Sequence, residues 1–237
     1  MSGRIFHFKD FSVSDAHCGQ KVCSDAVLFG AWAWRDEAVK GLVLDIGAGS
    51  GILSLLTARA CPEACVYAIE IDDAAATDAS ENFVSSPWSE RLHVFKADYR
   101  LFPPTLQPKA IICNPPFFST GAPAEDSSRA AARHEASLSY EGAIKFAAIH
   151  LGTDGRLMLI GPAEREKEIV FAAELAGLKL RRRLSVRTVP RKAAVRACWE
   201  FRRQDGPIKS EEVAVRDDKG IYTKEYLNLI ANIYHHL

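Results

Sequence analysis

A glycine-rich turn between a short apolar run and a helical segment constrains the fold of this chain most. Residues 42–46 (LVLDI) are almost entirely apolar, which is typical of a strand buried on both faces of a parallel sheet. The turn GAGSG follows at 47–51, and residues 52–60 have helical character. Glycine permits a sharp turn and a close approach to a ligand, because no Cβ intervenes. This unit predicts a ligand site at the carboxyl edge of a parallel sheet.

The rest of the chain alternates apolar runs with helix-length segments. Predicted strands cover residues 65–70, 92–95, 110–113 and 156–160, and predicted helices cover 73–83, 140–151 and 163–176. Two runs with period-2 alternation follow at 178–186 and 195–202, joined by a short turn near residues 190–192. Repeated βα units followed by a hairpin predict an α/β sandwich with a largely parallel sheet and a C-terminal antiparallel hairpin.

Length and composition are those of an ordinary globular protein, with 237 residues, 48% hydrophobic and 25% charged. We expect a single domain over 1–237, with an N-terminal extension (1–40), a core (41–203) and a tail ending in a helix (204–237). No apolar stretch approaches the roughly 20 residues that span a bilayer, and no signal-peptide core is evident. We therefore expect a cytoplasmic location, no membrane association and no obligatory protein partner.

The six cysteines are predicted to be free thiols. They lie at Cys18, Cys23, Cys61, Cys65, Cys113 and Cys198. No close histidine completes a zinc-finger spacing, so we expect no metal, and Cys61 and Cys65 are expected to pack as small apolar side chains.

The glycine turn carries an acid, Asp45, two residues before Gly47. The spacing G-x-G-x-G differs from the G-x-G-x-x-G of dinucleotide sites, which argues against an NAD-dependent oxidoreductase. An acid here would repel a pyrophosphate and favour an ammonium or sulfonium group. The segment resembles the first motif of class I S-adenosylmethionine-dependent methyltransferases. The resemblance implies a Rossmann-like fold with a mostly parallel seven-stranded sheet, and a cofactor held by Asp45, Gly47, Gly49 and Gly51.

Two further acids close predicted strands on the same edge. Glu70 lies 19 residues beyond Gly51, where an acid suits a bidentate contact to ribose hydroxyls. Asp98 follows the third strand and could contact the adenine amino group. Simple polarity at a strand end is the alternative for both residues.

The tetrad Asn114-Pro115-Pro116-Phe117 directly follows the fourth predicted strand. Proline fixes its own φ and restricts the preceding residue, so the backbone here is extended. The Asn114 amide oxygen and the Pro115 carbonyl can both face one planar NH2 group, while Phe117 offers a face for stacking a base. The tetrad resembles the N/D-P-P-Y/F/W motif of methyltransferases that modify amine or amide nitrogens. Such chemistry needs no nucleophilic side chain, so we do not expect Cys113 to act as one.

The segment at 21–32 narrows the resemblance to one family. It looks like the opening of the bacterial tRNA adenine-N6 methyltransferases that modify valine tRNA at position 37. Cys23, Ser24 and Phe29 depart from the family pattern, and residues 133–135 and 222–234 resemble its later segments. The resemblance implies tRNA as partner and N6 methylation as the reaction. Six residues of the segment match the family: Lys21, Asp25, Leu28, Gly30, Ala31 and Trp32.

The resemblance and the charge pattern suggest further contacts. Asp25 is expected near the methionine end of the cofactor, with a helix N-cap as the alternative. Lys21, Arg133 and His134 are predicted to contact RNA. A basic run between residues 180 and 204 forms the predicted outward face of the hairpin, and its alternative is a solvated face. From this run we predict three phosphate contacts: Arg181, Arg183 and Arg187.

Three other functions remain open at this point. Guanine-N2 methylation of ribosomal RNA uses a similar tetrad, but those proteins carry a long N-terminal domain that the residues before the turn cannot hold. Glutamine methylation of release factors usually has Tyr in place of Phe117. A cofactor-binding RNA chaperone without transfer activity is the third alternative, and substitution of Asn114 would distinguish it.

Overall fold

The computed structural model describes residues 4–19, 21–103, 105–116 and 138–234. In these residues the strands are β1 (Ile5–His7), β2 (Ser12–Ser14), β3 (Gly41–Ile46), β4 (Ala64–Glu70), β5 (Leu92–Lys96), β6 (Ala110–Cys113), β7 (Arg156–Pro162), β8 (Lys179–Arg187), β9 (Ala194–Arg202) and β10 (Lys209–Ala214). The helices are α1 (Ser24–Trp34), α2 (Ile52–Ala60), α3 (Asp73–Val84), α4 (Tyr140–His150), α5 (Glu166–Leu175) and α6 (Lys224–Ile230).

Eight of the described strands form one sheet in the order β10-β8-β9-β7-β6-β3-β4-β5. Strand β9 runs antiparallel to β7 and β8, and every other neighbouring pair is parallel. The carboxyl ends of the parallel strands therefore share one edge. The chain proceeds outward from β3 through β4 to β5 and then crosses to β6 on the other side of β3. Such a switch point opens a crevice for ligands at the carboxyl edge.

The predicted α/β class, with a mostly parallel sheet and an antiparallel hairpin, is confirmed. The described sheet has eight strands where we predicted seven, because β10 pairs in parallel with β8 at the outer edge. Its sequence, KSEEVA, is mostly polar and exposed, so it lacks the apolar alternation that reveals a strand. The segment predicted as one helix at 163–176 contains a 3-10 turn at Ala163–Arg165 before α5 begins.

Helices cover both faces of the sheet. One apolar core joins a sheet face to α1, α2, α3 and α6, and the other joins the opposite face to α4 and α5. Burial on both faces explains why the central strands are almost continuous apolar runs. None of the helices in the described ranges combines the length and apolar character needed to cross a membrane.

The N-terminal segment is tied to α3 by two buried polar side chains. Asn82 accepts the backbone N–H of Ser14 at 2.8 Å and donates to the carbonyls of Ser14 and Ser50 at 2.8 and 2.9 Å. Asp78 accepts the backbone N–H groups of His17 and Cys18 at 2.9 and 2.7 Å. These bonds lay the segment beside the glycine turn.

The two ends of the chain also meet. The backbone N–H of Lys9 donates to the carbonyl of Ile233 at 2.8 Å, and the rings of Phe8 and Tyr234 lie 5.3 Å apart. The first strands therefore pack against the segment that follows α6.

Candidate functional site

A cavity of about 310 Å³ opens at the carboxyl edge of the sheet. The ends of β3, β4, β5 and β6 surround it, so it occupies the switch point that the topology creates. It brings together six residues singled out from the sequence: Gly47, Gly49, Glu70, Asp98, Asn114 and Pro116.

The glycine turn requires glycine for two separate reasons. Gly47, Gly49 and Gly51 have φ values of +71°, +56° and +82°, in the left-handed region that other residues rarely adopt. A Cβ on Gly47 would overlap Leu138, and one on Gly51 would overlap Phe83. The turn therefore presents bare backbone to the cavity, and α2 begins directly after it.

Asp45 is fully buried in β3 and is not among the residues that line the cavity. Its Oδ2 accepts the Ser54 hydroxyl at 2.7 Å, whereas Oδ1 has no hydrogen-bond partner among the described residues. Burial raises the pKa of the Asp45 carboxyl to about 7, with a further contribution from the charge of Glu70. The acid that we expected to hold the cofactor thus lies behind the turn.

Glu70 closes β4 and lines the cavity. Its Oε2 accepts the N–H of Gly49 at 2.8 Å, and its Oε1 accepts the N–H groups of Ile71 and Asp72 at 2.8 and 2.9 Å. A carboxylate offers about four acceptor positions, so these three bonds leave one for a ligand. The side chain both fixes the turn and remains able to accept a hydroxyl.

Asp98 lines the cavity but is bound to a neighbouring cation. Its Oδ1 accepts the backbone N–H of Arg100 at 2.9 Å, and its Oδ2 lies 2.5 Å from Arg100 Nη2. The hydrogen bond from the Arg100 side chain holds the pKa of the Asp98 carboxyl below its usual value.

Asn114 follows β6 directly and lines the cavity. Its Oδ1 is buried and has no hydrogen-bond partner among the described residues. An unsatisfied buried acceptor costs about 1–3 kcal/mol, so it marks a place where a donor is expected to bind. Pro115 is buried beside it. Phe117, the last residue of the tetrad, lies outside the described residues, as do Arg133 and His134.

Cys113 is unsuited to act as a nucleophile. The side chain is fully buried at the end of β6, and burial raises the pKa of the thiol well above its usual value. The reactive thiolate is therefore disfavoured. No group of three or more His, Cys, Asp or Glu side chains suited to a metal ion occurs in the described part of the chain.

Asp25 does not line either of the two cavities at this edge. It is the second residue of α1, and Cys23 holds the N-cap position, so the alternative of an Asp25 N-cap is wrong. Its carboxylate instead accepts Arg196 Nε at 2.8 Å and joins α1 to β9.

Two of the three predicted arginine contacts on β8 are engaged in fixing the fold. Arg181 donates to the carbonyls of Gln204 and Asp205 at 3.1 and 2.9 Å, and it lies near the amino end of β8, opposite the cavity edge. Arg183 pairs with Glu166 of α5 at 2.8 Å. Both side chains are partly exposed but are engaged by other parts of the chain.

Arg187 lies at the carboxyl end of β8, on the same edge as the cavity. It donates to the Lys192 carbonyl at 2.8 Å and lies 3.3 Å from a carboxylate oxygen of Glu212. Of the three predicted arginines, only this one lies on the side of the sheet where a substrate would reach Asn114.

The structure adds residues to the site that we did not predict. Ile71, Asp72 and Tyr99 follow Glu70 and Asp98, so their place after a strand end was a usable signal. Cys18, Gly19 and Leu138 also line the cavity, but they come from segments that only tertiary packing brings there.

Comparison with known proteins is consistent with this site. Residues 34–175 match the family described as Methyltransferase small domain. A relative from Shewanella amazonensis, a "tRNA1(Val) (adenine(37)-N6)-methyltransferase", is 40% identical over 97% of this chain and 98% of its own. Relatives with the same name from Bacteroides thetaiotaomicron and Yersinia enterocolitica are 36% and 32% identical, over 100% and 99% of this chain and 100% and 94% of theirs.

Solved structures share the fold. A "predicted O-methyltransferase" from Agrobacterium tumefaciens has a TM-score of 0.66 at 19% identity, covering 88% of this chain and 96% of its own. The M. jannaschii TYW2 structure "in complex with AdoMet" has a TM-score of 0.57 at 16% identity, covering 86% and 87%. The predicted Rossmann-like methyltransferase fold is confirmed.

Proposed function

Because the chain belongs to the tRNA1(Val) (adenine(37)-N6)-methyltransferase family, we propose that it methylates the exocyclic N6 amine of an adenine in tRNA. S-adenosylmethionine is the methyl donor in this proposal, and position 37 of tRNA1(Val) is the target that the relatives' name supports. The observation that carries the proposal is the buried Oδ1 of Asn114 in the wall of the cavity, which has no hydrogen-bond partner in the described part of the chain.

The residues around the cavity fit the donor. The bare backbone of Gly47 and Gly49 leaves room for it, and Glu70 retains an acceptor position for a ribose hydroxyl. Asp98 lies on the same wall, where it would accept the adenine amino group. When bound, S-adenosylmethionine supplies a methyl group on a positively charged sulfur that is a good leaving group.

Asn114 would orient the nucleophile. Its Oδ1 accepts one hydrogen of the target amine, and the Pro115 carbonyl accepts the other. Both bonds draw the nitrogen lone pair out of conjugation with the ring. Holding the reactants in line can lower the barrier by several kcal/mol, so no acid or base side chain is required. The proton of the methylated amine then leaves to solvent.

Substrate entry rests on residues that the structure does not describe. Stacking of the target base on Phe117 stays a prediction, as do RNA contacts by Arg133 and His134. The base must leave its stack in the anticodon loop, at a cost of a few kcal/mol. A cytoplasmic location stays a prediction that tRNA as the substrate supports.

The proposal is tested by product identity. The protein is incubated with methyl-labelled S-adenosylmethionine and total tRNA that lacks the modification, and the labelled nucleoside is identified after digestion. We expect N6-methyladenosine, formed much more slowly by the Asn114→Ala variant. Label in N2-methylguanosine, with ribosomal RNA as the better acceptor, would overturn the proposal in favour of the guanine enzyme. Cofactor binding without label in any RNA would favour the binding-only chaperone.

A further inference from the structure

A second, smaller cavity of about 40 Å³ adjoins the first, and Lys21 forms part of its wall. Gly47, Gly49 and Asn114 line both cavities, so the two share the glycine turn. A ligand lying along the turn would extend from one cavity into the other.

The two cavities differ in charge. The larger one is lined by three acids, Glu70, Asp72 and Asp98. Among the described residues that line either cavity, Lys21 is the only lysine or arginine. A ligand with hydrogen-bond donors at one end and a negative charge at the other would match this arrangement in one orientation only.

The Lys21 ammonium group is held in position by a buried residue. Its Nζ donates to the Asp15 carbonyl at 2.5 Å and lies 3.7 Å from Asp15 Oδ1. The Asp15 carboxylate is fully buried and accepts the N–H of Val22 at 3.0 Å, which fixes the backbone next to Lys21. An ammonium group has three donors, so Lys21 keeps donors for a ligand.

The amino end of α1 lies at the same cavity. Cys23 and Ala26 line it, and Cys23 provides no side-chain hydrogen bond to cap the helix. The first N–H groups of this 11-residue helix carry a partial positive charge that favours an anion. Lys21 and the amino end of α1 therefore both make the electrostatic potential in the small cavity more positive.

We propose that Lys21 binds the α-carboxylate at the methionine end of S-adenosylmethionine. This inference rests on the proposed function and replaces the RNA contact that we predicted for Lys21. The adenosine end carries the hydroxyl and amino donors that suit the acids of the larger cavity. The carboxylate end then faces Lys21 and the amino end of α1.

The test compares ligands that do and do not carry the carboxylate. S-adenosylhomocysteine and 5′-methylthioadenosine share the adenosine end, but only the first has an amino-acid end. We expect Lys21→Met to weaken S-adenosylhomocysteine binding about tenfold, as measured by calorimetry, because the carboxylate loses its cationic partner. The effect is limited to this size because about half of the lysine side chain is exposed and solvent screens its charge. Binding of 5′-methylthioadenosine should stay unchanged, and Lys21→Arg should restore most of the affinity.

Lys40→Met is the matched control, because Lys40 pairs with exposed Glu63 and lines neither cavity. Equal weakening of both ligands by Lys21→Met would overturn the inference, since it would show a general loss of structure. If Lys21→Met leaves the binding of both ligands unchanged and weakens tRNA binding, the inference is wrong and the RNA contact first predicted for Lys21 is favoured. Failure of the wild-type protein to bind S-adenosylhomocysteine at all would overturn the proposed function as well.

Discussion

The Glu70 carboxylate accepts the backbone N–H of Gly49 at 2.8 Å, so one acid at the end of β4 fixes the turn that follows β3. The same carboxylate accepts the N–H groups of Ile71 and Asp72. Glu70 therefore shapes the cavity, a role separate from the ribose contact that was predicted for it from the sequence.

This dual role predicts the effect of Glu70→Gln. The amide oxygen of the glutamine can still accept the Gly49 N–H. Its NH2 group would then face the N–H groups of Ile71 and Asp72, and these would lose their acceptor. We expect the free energy of unfolding to fall by about 1–3 kcal/mol and S-adenosylhomocysteine to bind at least tenfold more weakly. Urea denaturation and calorimetry measure the two effects, with exposed Glu63→Gln as the control. A variant with wild-type stability and affinity would show that the turn does not depend on Glu70.

Asn114→Ala should separate binding from transfer. Removing the acceptor leaves the target amine unoriented, and we expect kcat to fall at least about 100-fold. The affinity for S-adenosylhomocysteine should change little, because the glycine turn and Glu70 are untouched. Single-turnover methylation of tRNA and calorimetry give the two values, and Asn228→Ala on the exposed side of α6 is the control. Transfer at near wild-type rate would contradict the role given to Asn114.

Asp45 predicts a pH dependence of stability. Its folded pKa of about 7 lies above its ordinary value of 3.8, so the folded state binds more protons between these values. The stabilisation from this group is fully present below pH 3.8 and is lost as the pH rises through about 7. We therefore expect Asp45→Asn, whose amide is always neutral, to gain stability relative to the wild type between pH 5 and pH 8, by roughly 1–3 kcal/mol.

Urea denaturation at pH 5 and pH 8 checks this expectation. The variant can still accept the Ser54 hydroxyl through its amide oxygen, so the comparison isolates the charge. Exposed Asp154→Asn should show the wild-type pH dependence. An identical slope for Asp45→Asn and the wild type would mean that Asp45 is ionised throughout this range.

Arg187 and Arg181 lie near opposite ends of the same strand, which makes them a matched pair. Arg187→Gln should weaken tRNA binding and reduce the slope of log affinity against log salt by up to about 1, because it removes a cation from the cavity edge. Arg181→Gln should leave tRNA binding unchanged and lower stability, since its partners are backbone carbonyls of the 204–207 loop. Fluorescence anisotropy over a salt series measures the slopes. Equal slopes for Arg187→Gln and the wild type would show that Arg187 makes no phosphate contact.

The residues that were singled out from the sequence and that do line the cavity are placed there by local causes. The glycine turn depends on backbone freedom at Gly47 and Gly49, and the Asn114 position depends on two prolines that follow a buried strand. Each of these properties depends on a few consecutive residues, so each could be inferred without knowing the rest of the fold.

The parts that could not be predicted depend on neighbours distant in sequence. The alternation in β8 suggested one basic face, but a register shift between Leu180 and Arg182 interrupts it, and α5 supplies Glu166 to one of its arginines. Cys18 lies at the cavity, where its N–H donates to Asp78 of α3. No property of residues 14–19 taken alone reveals that contact.

The contact between Lys9 and Ile233 has a consequence for how the cavity forms. The hydrogen bond from Lys9 to Ile233 joins the first strands to a segment that is synthesised more than 200 residues later. Cys18 and Gly19, which follow those strands, line the cavity, so this part of its wall lacks that support until Ile233 has been added to the growing chain. Contacts between residues so distant in sequence form late, because the intervening chain must be ordered first. A growing chain can thus assemble its central sheet before this contact exists, and the cavity wall is expected to be complete only once α6 and the residues that follow it have been made.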